Sequence, residues 1–155
     1  MPIPNEKIPK KYDLEERTTK FGEEIINFSK TIPVNLTTQR IIPQLVGAGT
    51  SVGANYCEAD DAESGKDFKH KIGICKKEAR ETKYWLQMVA TANPNSKGKA
   101  RELWQEAKEL HLIFNSISKK VNAKSLDVEG GVIALDGALY EVLSQINEWF
   151  AQVNR

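Results

Sequence analysis

Cysteine and histidine are scarce in this chain, which has 155 residues but only two of each. Cys57 and Cys75 both lie in segments with helical patterning, so we expect two buried thiols rather than a disulfide. A dimetal bundle site needs Glu-x-x-His on two helices, and Asp67 with His70 is the only near match. We therefore expect neither a zinc site nor any other metal or cofactor.

Long apolar runs are absent as well. No stretch approaches about 18 uninterrupted apolar residues, so the sequence contains no candidate membrane span. The first residues lack the basic segment followed by an apolar segment that marks a secretory signal. We expect a cytoplasmic protein without a membrane partner.

An excess of charge is also missing, because 22 lysines and arginines are balanced by 21 aspartates and glutamates, a net charge of +1. Proteins that bind phosphate backbones usually show a strong basic excess, so any basic surface here must be local. Neither Ser51 nor Ser64 has a histidine at a spacing that indicates a catalytic triad. We expect no enzyme active site.

Helical periodicity is what the sequence does contain. Hydrophobic residues make up 40% and charged residues 28%, which suits one globular domain. After a proline-containing arm at 1–12, seam residues recur at spacings of three, four or seven in four segments of the range 13–121. We call each such row a seam. The predicted seams are Leu14, Phe21, Ile25, Phe28 and Ile32; Ile41, Leu45, Ala48, Val52 and Asn55; Phe68, Ile72, Cys75, Ala79, Thr82, Leu86 and Val89; and Leu103, Ala107, Leu110, Phe114, Ile117 and Val121.

Capping and helix-breaking residues mark several boundaries. Asp13 with Glu16 predicts the start of the first helix, and Ser64 with Asp67 predicts the start of the third. The third helix stops at residues 93–95, which contain a proline. Short connections make consecutive helices antiparallel neighbours, so the fold class is all-α, an up-down-up-down four-helix bundle.

The second helix is the least regular. We expect it to open near Asn35 and run to about Ala59, with Pro43 either kinking it or serving as its first regular residue. Residues 47–55 are rich in glycine and other small residues, which lets a neighbouring helix approach closely. A phosphate-binding loop is the alternative, although the segment has no lysine and no preceding strand.

The pattern changes after Val121. Residues 122–131 are polar and include Gly130 and Gly131, so we expect a linker, followed by an additional C-terminal helix at 132–155. Its seam is Val132, Leu135, Leu139, Val142, Ile146, Trp149 and Val153. This apolar row must dock, and its narrow repeat favours the equivalent helix of another subunit over its own bundle. The segment is a natural extension or an engineered appendage.

The block QLVGAGTSVGANYCEA at 44–59 resembles the signature of the four helix bundle proteins known as 23S rRNA-intervening sequence proteins. Residues 77–86, KEARETKYWL, resemble the third helix of that family, and residues 106–110 resemble its fourth. The resemblance covers roughly 13–121. It implies the bundle fold and assembly into rings, typically of five subunits.

The resemblance also bears on partners. Some members of the family are encoded within insertions in large ribosomal RNA genes. A related group of retroelement accessory proteins forms similar five-fold bundles and binds nucleic acid beside a reverse transcriptase. Nucleic-acid binding is therefore an expectation that the resemblance implies.

The third helix is locally basic. Its candidate nucleic-acid-binding residues are Lys66, Lys69, Lys76, Lys77, Arg80 and Lys83. The alternative is an ordinary solvated surface on which Asp67 and Glu78 pair with nearby lysines.

A second polar set lies near the seams and consists of Asn55, Glu58, Arg80 and Glu81. We predict that these residues form a buried polar network that sets the register between helices, with the lining of a site as the alternative.

Two functions remain open at this point. The first is a non-enzymatic homo-oligomer that binds RNA, DNA or a nucleic-acid enzyme. The second is a structural scaffold or protein-interaction module that does not bind nucleic acid.

Overall fold

The computed structural model describes the backbone of residues 14–127 and the side chains of residues 14–123, and this part of the chain forms four α-helices. The helices are α1 (Leu14–Thr31), α2 (Thr38–Asp60), α3 (Gly65–Ala92) and α4 (Lys97–Asp127), with a 3-10 turn at Pro94–Ser96. Each helix packs chiefly against its neighbours in sequence, and α1 also contacts α4, although sparsely. The predicted all-α bundle is confirmed.

The predicted seams form the core of this bundle. In α3 the buried residues are the seven predicted ones, from Phe68 to Val89. The five seam residues predicted for the first helix are buried as well, although Ile32 lies one residue beyond the end of α1. In α2 the ends of the seam, Ile41 and Asn55, are only partly buried, and in α4 the same holds for Val121.

Glycines bring α2 close to α1. A Cβ atom on Gly49 would lie 2.8 Å from two side-chain carbons of Ile25, and one on Gly53 would lie 3.2 Å from the backbone oxygen of Thr18. Because residues 47–55 are helical throughout, they do not form a phosphate-binding loop. Their small side chains instead permit close helix packing.

The start of α2 differs from the prediction. The side-chain oxygen Oδ1 of Asn35 accepts hydrogen bonds from the backbone N–H groups of Thr37 and Thr38, at 2.9 and 3.0 Å. Asn35 therefore caps the helix from outside, and α2 begins at Thr38. Pro43 lies inside α2, so the alternative start at Pro43 is wrong.

The other boundaries follow local signals. The hydroxyl of Ser64 accepts from the N–H of Asp67 at 3.1 Å, which confirms the predicted cap of α3. The backbone of α4 stays helical through Asp127, beyond the expected end near Val121, since residues 122–127 contain neither glycine nor proline. The arm at 1–12, the Asp13 cap, the rest of the linker and the helix predicted at 132–155 lie outside the described residues.

The two cysteines are free thiols, but only one of them is buried. Cys75 lies in the core, where its thiol donates to the carbonyl oxygen of Val52 at 3.5 Å and burial raises its pKa to about 12. Cys57 is exposed because it lies off the α2 seam, so the prediction of two buried thiols is wrong for it. None of the helices in the described part is long and apolar enough to cross a membrane.

Candidate nucleic-acid interface

Three of the predicted basic residues share one flank of α3. Lys76, Arg80 and Lys83 each follow directly after a buried seam residue, so the helical period places them on the same side of the seam. This flank lies beside α4, because the positive charges of all three residues lower the pKa of His111, a residue of that helix.

Helix α4 supplies the other half of this surface. Trp104, Lys108 and His111 also follow directly after buried residues of their own seam. The ammonium nitrogen of Lys83 lies 5.3 Å from the centroid of the Trp104 ring, and that of Lys108 lies 5.7 Å from it. Both distances are within the range of a cation–π interaction.

We call this surface the α3–α4 basic face, and it comprises Lys76, Arg80, Lys83, Trp104, Lys108 and His111. Arg80 and Lys108 are exposed, and the other four are partly buried. The side chains thus combine cationic groups with one aromatic ring on two adjacent helices. This is the combination that proteins use to hold nucleic acids.

The pKa of His111 reflects the positive charge at this surface. Burial lowers the pKa of His111, and the positive charges of Lys83, Lys76 and Arg80 lower it further. A neutral imidazole at neutral pH can still donate one hydrogen bond to a phosphate oxygen. An anion bound here would offset the neighbouring charges and favour the protonated ring.

Acidic side chains of the same helices lie on other sides. Glu78 and Glu81 precede buried residues of α3 and therefore lie on the opposite flank, toward α2. On α4, Glu106 and Glu109 are turned toward α1, where the guanidinium of Arg17 donates to both carboxylates at 2.7 Å. Among the described residues, no carboxylate lies directly after a seam position of α3 or α4.

The remaining predicted lysines divide between two surfaces. Lys69 lies two turns before Lys76 on the same flank, so it extends the α3–α4 basic face toward the start of α3. Lys66 and Lys77 lie on the outward side of α3, away from α4. The structure therefore separates the six residues that composition alone groups together.

Sequence reasoning missed Trp104, Lys108 and His111 because it treated the basic residues of the third helix in isolation. A usable signal was present. The positions that directly follow the seam lack acidic residues on both helices, so the sequence indicates one flank without negative charge on each helix.

The predicted buried polar network is wrong, because Asn55, Glu58, Arg80 and Glu81 are all exposed or only partly buried. The side-chain amide of Asn55 donates to the carbonyl of Ser51 in its own helix at 2.8 Å. The carboxylate of Glu58 is exposed and pairs with Lys71 across the α2–α3 boundary.

The other two members also have different surroundings. The carboxylate of Glu81 accepts from the indole N–H of Trp85 at 3.1 Å, and Arg80 belongs to the opposite flank of α3. Residues beside a seam reach solvent or a local partner more easily than a shared interior site.

Metal ligands do not converge in the described part of the chain. No group of three or more histidine, cysteine, aspartate or glutamate side chains between residues 14 and 123 is arranged to hold a metal ion.

Comparison with known proteins places this bundle in a family. The sequence profile of the 23S rRNA-intervening sequence protein matches residues 10–116, which include the whole α3–α4 basic face. The chain is also similar to a crystal structure of a protein with unknown function from the S23 ribosomal protein family of Bacteroides thetaiotaomicron. That structure has a TM-score of 0.60 and 29% sequence identity, and the match covers 68% of this chain and 98% of that chain. No curated protein matches this sequence. Because the profile spans more than half of the residues and the bundle agrees with it, the chain belongs to the 23S rRNA-intervening sequence protein family.

Proposed function

We propose that this protein is a non-enzymatic homo-oligomer that binds RNA or DNA through the α3–α4 basic face. The observation that carries the proposal is the gathering of Lys83 and Lys108 around Trp104, with Lys76 and Arg80 on the same strip and no carboxylate among them. In a chain of net charge +1, a strongly basic overall composition does not account for this segregation. The family name adds a link to ribosomal RNA.

The proposal predicts that the affinity for nucleic acid depends on salt concentration. A protein that neutralises phosphates releases bound counterions, so the logarithm of its affinity falls linearly with the logarithm of salt concentration, by about 0.7–0.9 per phosphate contact. A binding titration with labelled RNA and DNA between about 50 and 200 mM salt measures this slope directly.

Variants of α3 provide a matched pair. Replacing Lys76, Arg80 and Lys83 with glutamine should weaken binding at low salt and flatten the slope by about 2–3, if each contacts one phosphate. Replacing the outward residues Lys66 and Lys77 with glutamine should change both quantities much less. Absence of binding by the wild type at low salt, or equal losses in the two variants, would contradict the proposal.

A protein-interaction module is the second candidate, and exposed apolar side chains favour it. Val34 and Leu36, in the connection between α1 and α2, are 75% and 85% exposed. In this case a protein partner should co-purify after nuclease treatment. Val34→Ser with Leu36→Ser should abolish that capture, whereas the glutamine variants of the α3–α4 basic face should retain it.

The oligomeric state is part of the first proposal. The family resemblance implies a ring of five subunits, which would have a native mass of about 87 kDa, five copies of the 17.4 kDa chain. Native mass spectrometry tests this number, and the absorbance ratio of the purified protein shows whether nucleic acid accompanies it. A cytoplasmic location and the absence of a membrane partner and of enzymatic activity complete the proposal.

A further inference from the structure

We infer that the α3–α4 basic face binds single-stranded nucleic acid, with an unpaired base stacked on Trp104 and the adjoining phosphates held by Lys83 and Lys108. This inference rests on the proposed function, and it names the class of ligand that the same surface takes.

The indole ring of Trp104 offers a surface on which a base can stack. It is partly buried and packs against the hydrophobic core, so its orientation is held by the bundle rather than by solvent. Two ammonium groups from different helices lie within 6 Å of the ring. Such groups gain between about 0.5 and 2 kcal/mol from the ring, depending on how far they are desolvated, and a phosphate competes with the ring for them. Where phosphates hold these groups, the ring is free to receive another flat group.

A base on a single strand fits this arrangement better than a duplex does. In a duplex the bases stack on one another, and only phosphates and groove edges are presented to a helical surface. An unpaired nucleotide offers a base and a phosphate together, and stacking on an aromatic side chain contributes about 1–3 kcal/mol per base. A duplex would use the lysines and leave Trp104 without a stacking partner.

The positively charged side chains of α3 extend along the helix away from the Trp104 ring. Lys83, Arg80 and Lys76 lie within eight consecutive residues of one helix, a rise of about 10 Å along its axis. His111 of α4 is close enough to all three for their charges to lower its pKa. Phosphates that follow the stacked nucleotide therefore meet cationic side chains over this length.

A set of matched probes tests the inference on the unmodified full-length protein. The probes are an oligothymidylate, an oligouridylate, a duplex and an abasic oligomer with the same number of phosphates but no bases. At one salt concentration, the thymidylate or the uridylate should bind at least about fivefold more tightly than the abasic oligomer. The two base-bearing strands compare DNA with RNA at the same site.

Two variants at Trp104 separate stacking from packing. Trp104→Phe keeps an aromatic ring and should retain most of the preference for the base-bearing strand. Trp104→Leu keeps an apolar group and should lose that preference while binding the abasic oligomer as before. If the leucine variant does not fold, the comparison of probes on the wild type still decides.

The outcomes distinguish this inference from the function on which it rests. Equal, salt-sensitive binding of the abasic oligomer, the duplex and the base-bearing strands would overturn base stacking and leave phosphate binding intact. Absence of salt-sensitive binding to every probe would overturn both. A preference for base-bearing strands that Trp104→Leu removes would support the inference.

Discussion

Gly49 shows how a single missing side chain determines the spacing of two helices. A Cβ atom there would lie 2.8 Å from Cγ1 and Cγ2 of Ile25, which is fully buried. Gly47, two residues earlier on the exposed side of α2, has no atom within 4 Å of the corresponding position. The two glycines therefore allow a matched comparison.

We predict that Gly49→Ala lowers the free energy of unfolding by about 1–3 kcal/mol, because α1 must shift to make room for the methyl group. Gly47→Ala should instead raise it by up to about 1 kcal/mol through the higher helix propensity of alanine. Urea unfolding followed by circular dichroism measures both. A Gly49→Ala variant as stable as the wild type would show that the helices adjust without cost.

His111 predicts a pH dependence of stability. Its pKa in the folded protein is lowered by burial and by Lys83, Lys76 and Arg80, whereas the unfolded chain titrates near 6.5. Between these two values the unfolded state binds more protons. The contribution of His111 to the free energy of unfolding is therefore complete above about pH 6.5. It is lost as the pH falls toward the pKa that His111 has in the folded protein.

We expect His111→Gln to lose less stability than the wild type on going from about pH 7 to pH 5. We also expect Lys83→Gln to raise the pKa of the His111 ring in an NMR titration, while Lys66→Gln leaves it nearly unchanged. Identical pH profiles for the wild type and His111→Gln would show that this residue does not contribute.

At the scale of whole helices, Arg17 bridges the sparsest of the lateral contacts, between α1 and α4. Its guanidinium binds Glu106 and Glu109, and all three side chains are partly exposed. Lys99 and Glu102, on a single surface of α4, form a longer and more exposed pair at 3.2 Å. The ion pairs of Arg17 join two helices, whereas the Lys99–Glu102 pair lies within one helix.

We predict that Arg17→Met destabilises the bundle by about 1–2 kcal/mol, because the hydrogen bonds to two carboxylates are charge-assisted and join separate helices. Lys99→Met should have an effect below about 0.5 kcal/mol. A double-mutant cycle between Arg17 and Glu106 isolates the pairwise part. A coupling energy near zero would show that apolar packing alone holds α1 against α4.

At the scale of the whole molecule, the four described helices share one hydrophobic core. Within the described part of the chain, the buried apolar residues run from Leu14 to Ile117 and come from all four helices, and the described part of α4 ends at Asp127. The sequence after this point carries the apolar row from Val132 to Val153, and each fully buried residue of this size contributes about 1.5–3 kcal/mol.

We therefore predict that a chain truncated after Asp127 still folds but assembles into smaller or weaker oligomers than the full-length chain. Thermal unfolding checks the first part, and native mass spectrometry of both chains checks the second. A truncated chain that fails to fold would make the C-terminal segment an integral member of the core. An unchanged mass would exclude it from the interface between subunits.

The sequence by itself determined the helices and their buried rows. The seam of α3 was predictable residue by residue, because the helical period alone decides which positions share one side. The cap at Ser64 was predictable for a similar reason, since its hydrogen bond to Asp67 is local. The match at 10–116 agrees with the family resemblance read from the α2 and α3 motifs.

Only the tertiary structure decided which flank of each helix meets which neighbour. Lys83 and Trp104 are 21 positions apart, and only the pairing of α3 with α4 brings them together. The same packing turns the Arg80 flank of α3 toward α4 and brings Arg17 of α1 to Glu106 of α4, and the helical period alone could indicate neither neighbour. Periodicity identifies the inside of a helix, but the partners of its flanks depend on how the helices are arranged around the core.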